Sequence, residues 1–291
     1  MRTAIALAAW CLWAQSAAAQ HSAAEDTARV LLQNQLENRD LRESSGLAAS
    51  RRVAGIFWTL NDSGNPPELF ATDSAGRDRA SFRVQVPENR DWEAIALARC
   101  GETDCLYIGE IGDNRPRYPT LKIYRVAEPA LPSPSRSQLA INGMIEFRYQ
   151  DGARNAEAMV VTPEQDVYLI SKERAGGGRL YRLDHSAWET RNIATAMFVS
   201  GLPFPDGLGF QVTDATLAPD GISIAVRTYS YIFFFRLDQG TLVLDPARAR
   251  CNAAGVDAQG EGITWLPNGR LATSSERIAG LGGTIAIVEC R

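Results

Sequence analysis

A six-residue motif that returns along the chain, short strand-like runs separated by Gly, Pro, Asn and Asp turns, and almost no helical periodicity together predict one fold class. That class is all-β: a β-propeller of four-stranded antiparallel blades. The motif is clearest at Asp91-Trp92-Glu93-Ala94-Ile95-Ala96 and returns at Asn155-Ala156-Glu157-Ala158-Met159-Val160 and Gln259-Gly260-Glu261-Gly262-Ile263-Thr264. Looser copies begin at Glu43 and Thr213. Each copy has an acidic or polar residue, a small one, and then the start of an apolar run.

The first 19 residues carry a single positive charge at Arg2, an apolar run, and Ala17-Ala18-Ala19 before Gln20. This is the pattern of a cleaved secretory leader, so a periplasmic or secreted protein is expected. The run is too short for a comfortable membrane span, and no other segment is a candidate. Residues 20–41 form a polar N-terminal segment, and a single propeller domain is expected over 42–291. Its first repeat has strand-like runs at 46–49, 55–60, 68–72 and 81–86. The second follows Glu93 with 106–109, 121–126 and 144–149, and carries a Pro/Ser-rich insertion at 129–135. The third continues from Glu157 through 167–170, 179–183 and 196–199, and the fourth through 222–226, 231–235 and 241–244. The fifth has three runs, at 263–266, 270–273 and 284–288, so residues 27–41 are the natural donor of its outer strand. Five blades are favoured. Six is the alternative, with a degenerate blade inside the longer second or third repeat. The glycine runs at 176–178 and 280–283 read as hairpin turns, because no helix follows to make a phosphate cradle.

The 291 residues are 45% hydrophobic, 22% charged and 8% aromatic, enough apolar material for a core. Net charge is -4, with no basic surplus to attract nucleic acid. A monomer is expected. Of five cysteines, Cys11 leaves with the leader. The even number that remains favours disulfides in an exported chain. Cys100 and Cys105 bracket a polar turn and suit a local hairpin bridge, leaving Cys251 and Cys290 as the second pair. No Cys-x-x-Cys spacing or nearby His supports zinc.

Strand direction locates the chemistry. First strands descend and second strands ascend, so the starts of the former meet the ends of the latter at one channel mouth. The starts carry Glu43, Asp91 with Glu93, Asn155 with Glu157, Asp214, and Gln259 with Glu261. The ends carry Asn61-Asp62, Glu110 with Asp113-Asn114, Lys172-Glu173, Arg227-Thr228-Tyr229 and Ser275-Glu276. Crowded carboxylates raise one another's pKa unless counter-charged. Lys172 and Arg227 are two counter-charges, and a divalent cation would be a third. Oxygen-rich donors suit calcium or magnesium. The expected metal ligands are Glu43, Asp62, Asp113, Asp214 and Glu261; acid/base work falls to Glu93 and Glu157. Lys172, Arg227, Tyr229, Asn114 and Glu276 are the expected ligand contacts. A structural reading competes throughout: ring residues also pin neighbouring blades, and Asp62 and Asp113 sit in turn-forming contexts. Trp92 and Tyr229 are either an aromatic wall or blade packing. Trp58 and Trp265 are expected in the core.

Only His21 and His185 are present. The first lies in the tail and the second follows a third strand, away from the mouth, so a His-dependent nucleophilic centre is excluded. Carboxylate acid/base work or a metal-activated water remains.

The motifs ESSGLA, WTLNDSG, DWEAIA, YIGEIGDNRPR, YRVAEP, YQDGARNAEAM, SKE, VRTYSY and QGEGITW resemble a family of exported bacterial β-propeller proteins of largely uncharacterised function. More distantly, the chain is similar to phytase-like and gluconolactonase/regucalcin-like propellers, which implies divalent metals held by acidic residues at the mouth. Glu261-Gly262 resembles the Glu-Gly of a metal-liganding strand in the lactonase group, with Ile263 where proline is expected. Lys172 and Arg227 stand where basic residues would hold phosphate in phytase-like enzymes, although the motif spacing differs. The expectation is a calcium-binding mouth that takes a small anionic or polyhydroxylated ligand and hydrolyses an ester, phosphoester or lactone. The alternative is a non-catalytic scaffold for envelope protein or glycan partners.

Overall fold

The computed structural model describes residues 26–133, 136–173, 177–278 and 280–290. The leader expected over 1–19, with Cys11 and then His21, lies outside them. The described chain is all-β and sheet-rich, and none of its helices is long and apolar enough to cross a membrane.

Strands β1 (Asp26–Thr27) and β2 (Arg29–Gln35) precede a series of antiparallel meanders. The first is β3 (Ser44–Ala49), β4 (Ile56–Asn61), β5 (Glu68–Asp73) and β6 (Asp78–Val84). The second is β7 (Trp92–Cys100), β8 (Thr103–Glu110), β9 (Leu121–Ala127) and, after the short β10 (Ser137–Leu139), β11 (Ile141–Tyr149). The third is β12 (Ala156–Val161), β13 (Val167–Ser171), β14 (Gly178–Leu183) and β15 (Ala194–Leu202). In the fourth, β16 (Val212–Leu217), β17 (Ser223–Thr228) and β18 (Tyr231–Asp238) are followed by β19 (Thr241–Leu244) and β20 (Arg250–Asn252), which share the edge of β18. The fifth joins β21 (Gly260–Trp265), β22 (Leu271–Ser275) and, after a small hairpin of β23 (Arg277–Ile278) and β24 (Leu281–Gly282), β25 (Thr284–Glu289). Its fourth strand is β2, antiparallel to β25 with Val30 opposite Val288.

Burial separates inner from outer strands. β12, Ala-Glu-Ala-Met-Val-Val, is buried at every position, because side chains on both faces meet neighbouring sheets. β11 instead alternates towards its end, as a strand with one solvated face does. The first strands pack side by side in chain order, and β21 returns against β3. The cores lie between successive meanders; Trp58, Leu69 and Phe82 of the first, for example, pack on Trp92, Ile108 and Tyr124 of the second.

Two links were not foreseen. β10, inside the Pro/Ser-rich insertion, pairs in parallel with β6. Its three residues are too few to show alternation, so the segment reads as loop. β11 and β15 also pair in parallel, merging two meanders into an eight-stranded sheet. The end strands of that sheet, β7 and β12, lie against each other, so it nearly closes into a barrel. The cystines are Cys100–Cys105, across the β7–β8 turn, and Cys251–Cys290, which ties β20 to the end of β25.

Candidate functional site

Every first strand breaks register with its second strand at the same place. The shift falls between Ser44 and Gly46, Trp92 and Ala94, Ala156 and Ala158, Val212 and Asp214, and Gly260 and Ile263. A β-bulge re-aims the residue it leaves unpaired. Those residues are Ser45, Glu93, Glu157, Thr213 and, in the widest bulge, Glu261 with Gly262. Just above, the residue that follows each second strand, or in β8 the second residue after it, donates its N–H to a carbonyl two residues before the bulge. The pairs are Asp62 to Glu43, Gly112 to Asp91, Lys172 to Asn155, Tyr229 to Gln211 and Glu276 to Gln259, at 3.0–3.2 Å. Three polar tiers therefore converge on one end of the strand circuit.

Side chains knit the tiers together. Lys172 Nζ lies 3.3 Å from Glu157 Oε2 and donates to Tyr229 Oη at 2.9 Å. Asn155 donates to Glu157 at 2.7 Å, and Gln259 donates to both Glu261 and Glu276, at 3.0 and 2.7 Å. Ser45 donates to Glu93 at 3.2 Å, and Asn65 to Glu43 at 2.6 Å. Within reach of the Lys172 charge, carboxylate oxygens of Asp62, Asp91 and Glu93 lie within 4.8 Å of one another. Gly112 makes this approach possible: a Cβ there would sit 2.5 Å from Glu93 Oε1 and 2.6 Å from Asp91 Cγ.

The electrostatics follow from burial and like charge. Burial, then the charge of Asp62, pushes Asp91 up to about 6. Burial, reinforced by Glu157, Asp62 and Asp91, raises Glu93 well above its ordinary value. Glu157 is also raised by burial, in spite of Lys172. Burial takes Glu261 to about 8, with Lys172 opposing, and Glu276 to about 7, with Asp62 and Glu43 adding to the rise. Burial alone would lower Lys172, but Glu157 and Glu261 outweigh it and keep the ammonium charged. The site has more negative charge to place than one lysine can offset.

Several expected residues are placed elsewhere. Arg227 does not join Lys172 as a counter-charge at the mouth. It is wholly buried, its Nη2 2.8 Å from Asp257, while Nη1 donates to the Gly262 carbonyl at 3.1 Å. Asp257 also accepts from Thr284 at 2.8 Å. Asp214 is likewise absent from the carboxylate tier, because the bulge residue of β16 is Thr213. Asp214 falls one position deeper, where the other first strands have Gly46, Ala94 or Ala158. There it accepts from the N–H groups of Ile263 (2.8 Å), Ala215 (2.8 Å) and Leu47 (3.3 Å), which leaves no role as a mouth ligand. Asp113 holds a turn by accepting from the Arg117 and Tyr118 N–H groups. Asn114 is exposed at the edge and accepts from Asn155 at 3.4 Å. Trp92 is core, packed on Tyr124, whereas Trp265 is only partly buried and lines a cavity at the far end of the strands.

The expected metal set omitted Asp91, although the motif contains it. Asn155 and Gln259, its equivalents in two other meanders, were legible through the same alignment; Gln211 was not, because the fourth copy was aligned from Thr213, two residues too late. Gly112 lies within the run YIGEIGDNRPR, but nothing there marks its packing role; Asp257 lies in no motif, and both roles emerge only from contacts.

No protein-family model matches the chain, and no curated protein matches it. Among solved structures, the chain is similar to the PQQ-bound form of an aldose sugar dehydrogenase from Streptomyces coelicolor. The TM-score is 0.55 and the identity 11%, over 92% of this chain and 99% of that one. At that identity the likeness is one of fold. A 6-phosphogluconolactonase assignment from Bacteroides uniformis ATCC 8492 aligns at TM-score 0.42 and 14% identity, over 84% of this chain and 66% of that one. That alignment is too loose to carry an argument.

Proposed function

We propose that the chain is an exported five-bladed β-propeller, closed by β2, whose mouth binds one divalent cation of the calcium class on Asp62, Asp91 and Glu93. The observation that carries this reading is the convergence of those three carboxylates with, among the described residues, only Lys172 nearby to offset them. A hard cation suits all-oxygen donors and relieves the repulsion that holds the acids protonated. The ligand is a small anionic or polyhydroxylated ester, phosphoester or lactone. Lys172 and Tyr229 hold its anionic or hydroxyl group, supported by Glu157. The cation would supply polarisation of the scissile oxygen and acidify a bound water. In the hydrolysis, water adds to the carbonyl carbon or phosphorus and the ester C–O or P–O bond breaks. Glu261, protonated near neutral pH, gives its proton to the departing oxygen and recovers the proton that the attacking water releases. The PQQ named for the dehydrogenase is not carried over, since a polycarboxylate would meet an acidic mouth.

The test is a thermal melt with calcium, magnesium and manganese, with and without chelator, on the wild type and on Asp91→Asn. Calcium at about 100 times Kd stabilises by about 2.7 kcal/mol. A rise in Tm of roughly 5 °C is expected for a chain of this size, absent in the variant. No rise with any of the three cations ends the reading. An ester, lactone and phosphoester panel then separates enzyme from scaffold: no turnover by cation-loaded protein favours a binding role. The scaffold reading has one observation of its own, that Asp113 and Asp214 are spent on backbone N–H groups.

A further inference from the structure

We propose that the end of the strand circuit remote from the carboxylates is a second ligand site, for one small neutral apolar molecule. A cavity of about 400 Å³ lies there, within the roughly 300–1,000 Å³ range of small-molecule pockets. All five first strands build its wall. Ala49, Leu97, Val161, Leu217 and Trp265 hold equivalent places, each three residues beyond the position Asp214 occupies in its own strand. At about 3.3 Å per residue they stand some 13 Å from the bulged tier.

The two sites lie at opposite ends of the first strands. The wholly buried Asp214, bonded to the N–H groups of Leu47 and Ile263, stands between them, and Leu47 and Ala215 belong to the cavity side. The wall is mainly aliphatic, with Ser50, Thr216 and Thr264 as its hydroxyls, and small-molecule sites are lined in this way. Small residues keep it open: Ala48, Ala54, Ala96 and Ala215 all line it, where a leucine at any of them would fill space. Charge argues for a neutral guest. The charged side chain on the lining is Arg51, and its Nη1 is already 3.2 Å from Asp104. This site does not depend on a cation at the mouth.

The probe is N-phenyl-1-naphthylamine, neutral and fluorescent in apolar surroundings, titrated against the full mature chain. Saturable one-to-one enhancement is expected, with at least a tenfold weaker Kd in Ala96→Leu/Thr216→Leu. A second measurement covers a variant that folds poorly. In Thr216→Cys the new thiol is the free one beside two cystines, and the probe should slow its alkylation several-fold. No enhancement in the wild type, equal binding in the filled variant, or unprotected alkylation each overturns the assignment. Tighter binding of anionic 1-anilinonaphthalene-8-sulfonate, lost in Arg51→Ala, overturns the neutral guest.

Discussion

Gly112 occupies the tier in which the other meanders place Asp62, Lys172, Tyr229 and Glu276. Its missing side chain is the space into which Asp91 and Glu93 lean. Gly112→Ala therefore presses a methyl group against two carboxylates. A cost of about 1–3 kcal/mol is expected from overpacking, together with loss of the calcium-dependent rise in Tm, read in one pair of melts. The raised acids make a second prediction with a definite sign. Asp91, Glu276 and Glu261 titrate near 6, 7 and 8, above ordinary carboxylates, so the folded chain binds more protons than the unfolded chain across that range. Their contribution is fully present below pH about 4 and is lost as pH rises through 8. In chelator, Tm should fall from pH 5 to pH 8. Glu261→Gln should flatten that fall and stabilise the protein at pH 8 by on the order of 1–3 kcal/mol. A flat profile in the wild type would refute the repulsion.

At the scale of elements, the Arg227–Asp257 pair is the clasp of the last meander. Both side chains are fully buried, and Gly260 packs against the guanidinium so closely that a Cβ has no room. The pair holds the turn that delivers Gln259 and Glu261 to the mouth. Asp257→Ala leaves a buried guanidinium unpaired and should cost about 3–5 kcal/mol. Arg227→Met/Asp257→Leu should recover much of it, as denaturant melts of the variants and the wild type would show. The edges matter as well. β2 covers β25, and Cys251–Cys290 ties residues 39 apart in sequence. Cys251→Ala/Cys290→Ala should lower stability by about 3–4 kcal/mol through the freed unfolded chain. Elements with a strong pattern were legible beforehand: inner strands as apolar runs, hairpins by their turn residues, the closing strand by arithmetic on a three-stranded repeat. β10 and the β11–β15 pairing were not, because parallel pairing between outer strands leaves no local mark.

Over the whole molecule, the repeated motif, strand spacing and cysteine parity are properties of the chain read alone. They determine an all-β architecture, which end of the strands is polar, and which residue types gather there. Glu93, Glu157 and Glu261 were recognisable because the motif repeats them in register. Two outcomes depended on tertiary structure. Asp214 and Arg227 look like site residues in one dimension, yet Asp214 sits one residue past the bulge and so a level deeper, and a distant Asp257 takes Arg227 into the core. The physical reason is that a strand's period of two turns a single-residue shift into a change of side-chain direction. A buried charge, in turn, goes to whichever partner the fold brings within reach. Neither the bulge register nor a contact 30 residues away is written in local spacing.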